Sequence, residues 1–278
     1  MSSTNYKVRA DSFSVGGSDT ASSASYILRD TTGGVSATAS SSSYVLQSGY
    51  RAGIFDQIIT ISTGVQEAAV LSTATALSGL VVTVDGTGGL AVDDLIFVVE
   101  NASTNHDVAV GVITAIAGNN ITVDEFVSNT TVTIDGTDDY VYRGSGTSMS
   151  YGTLTTNLVM HRLVGWQSFV DVPNGFNVYV SEDTDFTTGS ETIADVSDGT
   201  VTAGSGEFGA RASDTSLSES TFDSADTAIT ATPQQIASVA SSDRRKAKGY
   251  LDVKVAASSS QVVGSYANNL LFIVAPIF

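Results

Sequence analysis

Apolar and polar residues alternate in short runs along most of this chain, and the runs are broken by Gly, Asp-Gly and Asn-Gly signals. That period of two, repeated with little helical periodicity between, predicts an all-β protein. The clearest strands are Leu80 to Asp85, Leu95 to Val99, Val108 to Ile116, Asn120 to Val123, Phe176 to Val180 and Leu251 to Val255. One short stretch, Gln234–Ser242, reads as a helical turn or two. The terminal strand, Asn268–Phe278, is apolar on both alternating faces: Leu270, Phe272 and Val274 on one, Leu271, Ile273 and Ala275 on the other. A strand apolar on both sides needs cover on both sides. Pro276 cannot donate to a ladder, which places this strand at an edge or ends its pairing there.

The patterning divides the chain in three. Residues 1–56 carry a repeat, SSTNYKV, SSASYIL, SSSSYVL, with Tyr6, Tyr26 and Tyr44 spaced by 20 and 18 and Gly-rich turn chemistry between. Nineteen of the first fifty residues are Ser or Thr. Periods near 20 with one strand each suggest strand–turn units that cannot bury an apolar side alone; a flexible Ser-rich leader is the plainer alternative. Residues 57–145 form a strand-rich unit, densest from about 65, whose DGTGG (85–89) and DGTDD (135–139) follow the similar strands VVTV and TVTI and read as hairpin turns. Five or six short strands in some 80 residues suit a small barrel, read as an insertion. Residues 146–278 have the longer strands of a β-sandwich. The expected fold is therefore a C-terminal β-sandwich with an inserted small β-barrel and an N-terminal repeated-strand segment.

Composition narrows the function. The 278 residues carry 12 basic and 29 acidic side chains, a net charge of −17, with only 15% charged and 42% hydrophobic. Such an acidic surface repels phosphate backbones and anionic membranes, so neither nucleic acid nor a membrane is an expected partner. Zero Cys excludes disulfides, thiolate zinc sites and cysteine nucleophiles, and suits a protein exposed to oxidants. No apolar run reaches the length of a membrane-spanning helix. The opening MSSTNYKVRADSF lacks the apolar core of a signal peptide, so either a signal has been removed or the protein leaves its cell by another route.

The catalytic templates fail: there is no G-x-S-x-G, S-x-x-K, H-E-x-x-H or P-loop lysine motif. The only two histidines, His106 and His161, lie 55 residues apart. His161, in LVMHRLVG, reads as a strand residue, and His106, in ASTNHDV, as a loop residue. No catalytic, cofactor or metal residue is assigned, and no enzyme is expected. Calcium is the one metal worth weighing, because it takes oxygen ligands; the turns Asp135–Asp139 and Glu182–Asp185 gather carboxylates, but neither matches a full EF-hand loop, so any calcium effect should be weak. The basic run RRKAK at 244–248 reads as a solvated turn or a contact with an acidic neighbouring copy. Asn101, Asn120 and Asn129 each begin an N-x-[ST] sequon.

The opening NYKVRADSFSVGG–SSASYILRDTTGG–SSSSYVLQSGYRAG resembles the N-terminal repeats of secreted surface proteins abundant in small, host-associated candidate-phyla bacteria. The C-terminal part agrees, through YGTLTTN, GFNVYVSEDTDFTTGSETIADVSDGTVTAGSGEFG and VAASSSQVVGSYANNLLFIVAPIF. The likeness spans residues 1–63 and 146–278 and skips the barrel, which fits an insertion. It implies a pilin-like, extracellular or cell-surface sandwich protein with no catalytic residues to carry over.

The expectation that follows is self-assembly into a surface filament or layer by β-strand addition between copies. The side chains expected at the subunit interface are Tyr6, Val8, Phe13, Val15, Tyr26, Leu28, Tyr44 and Leu46 on the donated segment and Leu270, Phe272 and Val274 on the receiving strand. Burying the eight donated side chains at ~1.5–3 kcal/mol each bounds the gain at roughly 12–24 kcal/mol before ordering costs. A monomeric adhesin or ligand-binding protein with a host-cell or surface ligand, and a virion or tail structural protein, are the alternatives.

Overall fold

A computed structural model describes residues 59–103, 106–170, 174–240 and 247–277, together with the backbone of six short strands ahead of them. Those six pair as three miniature antiparallel hairpins: β1 (Ser2–Ser3) with β2 (Tyr6–Lys7), β3 (Ala21–Ser23) with β4 (Tyr26–Leu28), and β5 (Ala37–Ser40) with β6 (Val45–Ser48). Each falls on one copy of the repeat, with Ser3 opposite Tyr6 and Ser23 opposite Tyr26. Residues 1–58 and 59–278 form two separate units.

The second unit is all-β, with no helix among the described residues. Its first strand, β7 (Ile59–Ser78), is followed by β8 (Val81–Val84), β9 (Leu95–Glu100), β10 (Asp107–Ala117), β11 (Asn120–Val123), β12 (Val127–Ser128) and β13 (Tyr140–Ser145). Neighbours run β7-β8-β11-β10-β9-β13, and β13 pairs back onto β7, closing a six-stranded antiparallel barrel; β12 adds to β10. Closure leaves no exposed edge. Ala74, Val82, Val84, Ile96, Val98, Ile113, Ile121, Val123 and Val141 fill its interior. Where β7 crosses β13, a Cβ on Gly64 would lie 2.7 Å from the Gly144 carbonyl carbon, so glycine is what allows the two backbones to approach.

The sandwich is built from β14 (Val159–Val170), β15 (Phe176–Glu182), β16 (Phe186–Thr188), β17 (Glu191–Asp195), β18 (Glu207–Ala212), β19 (Gln234–Val239), β20 (Ala247–Ala256) and β21 (Leu270–Pro276). One sheet runs β7-β14-β20-β18-β17-β16; the other is β19-β15-β21. Between them lie Val164, Trp166, Phe176, Val178, Val180, Phe222, Ile229, Ile236, Leu251 and Val253.

Barrel and sandwich share a strand. Residues Ile59 to Val65 of β7 pair with β14, and the rest of β7 continues into the barrel wall. They also share a core: Leu95, Phe97, Val99, Val108 and Val110 on the outer barrel face pack with Leu163 of β14 and Tyr250 of β20. Gly165 makes room, since a Cβ there would lie 2.5 Å from Leu95 Cδ2 and 2.9 Å from Phe97 Cζ.

Three local expectations are corrected. Gln234–Val239 is a strand, because pairing with β15 overrides a weak helical pattern in six residues. The DGTGG turn does not close a hairpin: β8 returns from β7 through Gly79 (φ +58°), and residues 85–94 cross to β9, which is not a neighbour of β8. Thr131–Ile134 is not a strand, and DGTDD is a turn leading into β13.

Candidate functional site

The sequence-expected interface residues fall in two groups. Tyr6, Val8, Phe13, Val15, Tyr26, Leu28, Tyr44 and Leu46 have side chains outside the described residues. Leu270, Phe272 and Val274 lie on β21 and are half-buried, turned onto the sandwich core of their own chain. The outward row is Leu271, which is 59% exposed, followed by Ile273 and Ala275. β21 hydrogen-bonds to β15 on one side, from Leu270 opposite Glu182 to Pro276 opposite Phe176; its other edge has no partner among the described residues. The far edge of the same sheet is treated differently. There Gln235 is held by the Ser220 hydroxyl and the Glu219 N–H, and the Ser238 N–H donates to Asp214 at 2.8 Å.

The calcium turns resolve in opposite ways. Asp139 is fully buried and accepts from the N–H groups of Asn101 (3.1 Å), Asp135 (2.9 Å) and Gly136 (2.9 Å), while Asp138 accepts from the N–H and hydroxyl of Ser103. These carboxylates organise their own loops. In the other turn Asp183 accepts from the Asn269 N–H at 2.9 Å, and Glu182 and Asp185 are joined by Asp195 from β17, with one oxygen of each within 4.8 Å of the others. Burial pushes Glu182 up to about 8 and Asp195 to about 6, reinforced by the neighbouring carboxylates.

Lys248 of the basic run is buried and bridges Asp124 (3.0 Å) and Glu125 (2.6 Å) of the barrel; the run's other charges lie outside the described residues. Asn129 donates to the Ala212 carbonyl and accepts from the Tyr250 hydroxyl at 2.7 Å, so this sequon is occupied by the fold.

Sequence reasoning missed one constellation. His106 stands at the entry to β10, His161 on β14 and Asp252 on β20, and they meet in the seam between barrel and sandwich. On β14 and β20, period-two alternation turns His161, Leu163, Asp252 and Tyr250 toward the barrel. His161 Nδ1 lies 2.9 Å from Asp252 Oδ2, His106 Nδ1 lies 3.6 Å from the same oxygen, and the ring centroids are 4.3 Å apart. The side chains of His106, Asp252 and His161 are 5%, 8% and 17% exposed. Burial pushes the Asp252 carboxyl up, but the imidazoles of His161 and His106 outweigh it and hold the group well below the usual carboxylate range. Two histidines 55 residues apart gave no spacing signal that could have joined them.

No family of known proteins, no curated protein and no solved structure matches the chain. Among the described residues no helix is long and apolar enough to cross a membrane.

Proposed function

We propose that this chain is an extracellular structural protein that polymerises into a filament or layer, the repeats of residues 1–55 of one copy adding as strand to the open edge of β21 in the next. The observation that carries this reading is the contrast between the two edges of the β19-β15-β21 sheet: one is capped by Ser220 and Asp214, the other has no strand partner among the described residues and is flanked by Leu271 and Ile273. Bare apolar edges invite strand addition, in which main-chain hydrogen bonds supply affinity and alternate side chains supply fit. The half-burial of Leu270, Phe272 and Val274 leaves the sandwich core incompletely covered on that flank. The Ser/Tyr repeats have strand character but too little chain per unit to hold an isolated hairpin in water. A head-to-tail contact that does not close builds an open polymer.

Negative-stain imaging of the full chain and of a chain starting at Ile58 tests this. The full chain should form filaments or sheets, and the truncated chain should stay monomeric and bind added 1–55 peptide. Polymers from the truncated chain would sink the strand-addition reading, and a monomeric full chain would favour an adhesin.

A further inference from the structure

We propose that His106, His161 and Asp252 form a binding site for a first-row divalent transition metal, Zn²⁺ foremost, which staples the barrel to the sandwich. The site stands whether or not the chain polymerises.

The argument begins with what is left unsatisfied. Both imidazoles address one oxygen, Asp252 Oδ2, yet only His161 is within hydrogen-bond distance of it. His106 Nδ1 and Asp252 Oδ1 are buried and have no hydrogen-bond partner among the described residues. A buried polar atom without a partner is costly to the fold, and here two occur within one three-residue cluster. Nearby protein cations do not relieve it. Lys254, opposite His161 in the ladder, is committed to Asp226 at 2.7 Å, and Arg162 donates to the carbonyls of Ser150 and His161.

A dication held between the two rings and the carboxylate gives His106 Nδ1 a partner and offsets the buried charge of Asp252. One donor atom from each residue lies within 4.8 Å of the other two. Metal–nitrogen and metal–oxygen bonds of ~2.0–2.2 Å imply tetrahedral ligand separations of about 3.3–3.6 Å, and the observed 2.9 and 3.6 Å straddle that range. Two neutral imidazoles and a carboxylate suit Zn²⁺ and its neighbours, whereas calcium and magnesium prefer all-oxygen shells. The three ligands come from three separate elements, so closing them round one ion ties the β9–β10 loop of the barrel to β14 and β20 of the sandwich.

The test uses the untagged full chain, which has no other histidines. Zn²⁺ titration at pH 7.5 should show one ion per chain, and at a hundredfold excess of free Zn²⁺ over Kd the unfolding midpoint should rise by about 5–10 °C. Co²⁺ in its place should give visible ligand-field bands. His161→Gln and Asp252→Asn should each weaken Zn²⁺ binding at least ~100-fold, while Glu182→Gln, which alters the separate acidic cluster, should leave it unchanged. No saturable binding by the wild type, or equal affinity in His161→Gln, overturns the proposal. If those variants do not fold, ¹⁵N-histidine spectra of the wild type decide. Stoichiometric Zn²⁺ must shift the ring nitrogens of both histidines together; shifts in one or neither reject the site.

Discussion

Replacing Glu182 by Gln should make this protein more stable at alkaline pH and remove much of its pH dependence. Glu182 ends β15 opposite Leu270, the first residue of β21, and only 6% of it is exposed. Its Oε2 accepts from the Asn268 amide at 3.0 Å, and carboxylates of Asp195, Asp185 and Asp183 surround it. Burial first, and those charges next, raise the group from its ordinary 4.5 to about 8. An acid raised in the fold keeps its proton there while the unfolded chain has lost it. The contribution of Glu182 is therefore full below about pH 4.5, falls as pH climbs towards 8, and is flat above. At about 1.4 kcal/mol per pH unit the shift is worth at most about 5 kcal/mol. Coupling to Asp195 and water at the rim reduce this to about 2–3 kcal/mol.

Urea unfolding followed by fluorescence of Trp166, the sole tryptophan and part of the sandwich core, reads the effect directly. The wild type should lose about 2–3 kcal/mol from pH 5 to pH 8.5. Glu182→Gln should lose less than half of that and exceed the wild type at pH 8.5, because its amide keeps the Asn268 contact without the buried charge. Asp252 does not enter this window, since its lowered carboxyl stays ionised through it. An unchanged slope in Glu182→Gln would refute the reasoning.

Other predictions are briefer. Gly165→Ala pushes a methyl group against Leu95 and Phe97, and should cost about 1–3 kcal/mol in thermal unfolding. Asp139→Ala strips the acceptor from the N–H groups of Asn101, Asp135 and Gly136, and should cost about 3 kcal/mol or more, with amide exchange at those residues as the local readout. Leu271→Asp places a charge on the outward face of β21; sedimentation should show polymerisation blocked and the monomer's melting point nearly unchanged. Excising residues 66–144 uncovers Leu163 and Tyr250 and cuts the hydrogen bond from the Tyr250 hydroxyl to the Val108 carbonyl, so calorimetry should show a sandwich much less stable than the intact protein.

Local chemistry alone determined the class of this fold. Alternation marks β8, β11 and β15, because a strand half-buried in a sheet must present opposite faces to core and solvent; β20 alternates too, but its polar face is buried against the barrel. The five-residue run LIFVV in β9 announces burial on both faces, and the apolar C-terminus announces a strand needing cover. Neither states what the cover is. For β9 the answer is the barrel interior on one side and Leu163 and Tyr250 on the other. That depends on β7 being long enough to serve two structures, a non-local pairing that no window of sequence contains. Asp-Gly looked like a hairpin signal at 85–86 and 135–136, but turn chemistry specifies a reversal and not which strands it will join. The histidine pair was hidden for the same reason. His106 in a polar loop and His161 in an ordinary strand carry no mutual spacing, and Asp252 is one acid among 29 acidic residues. Only the closure of the barrel against β14 and β20 removes water from all three and turns them towards one point.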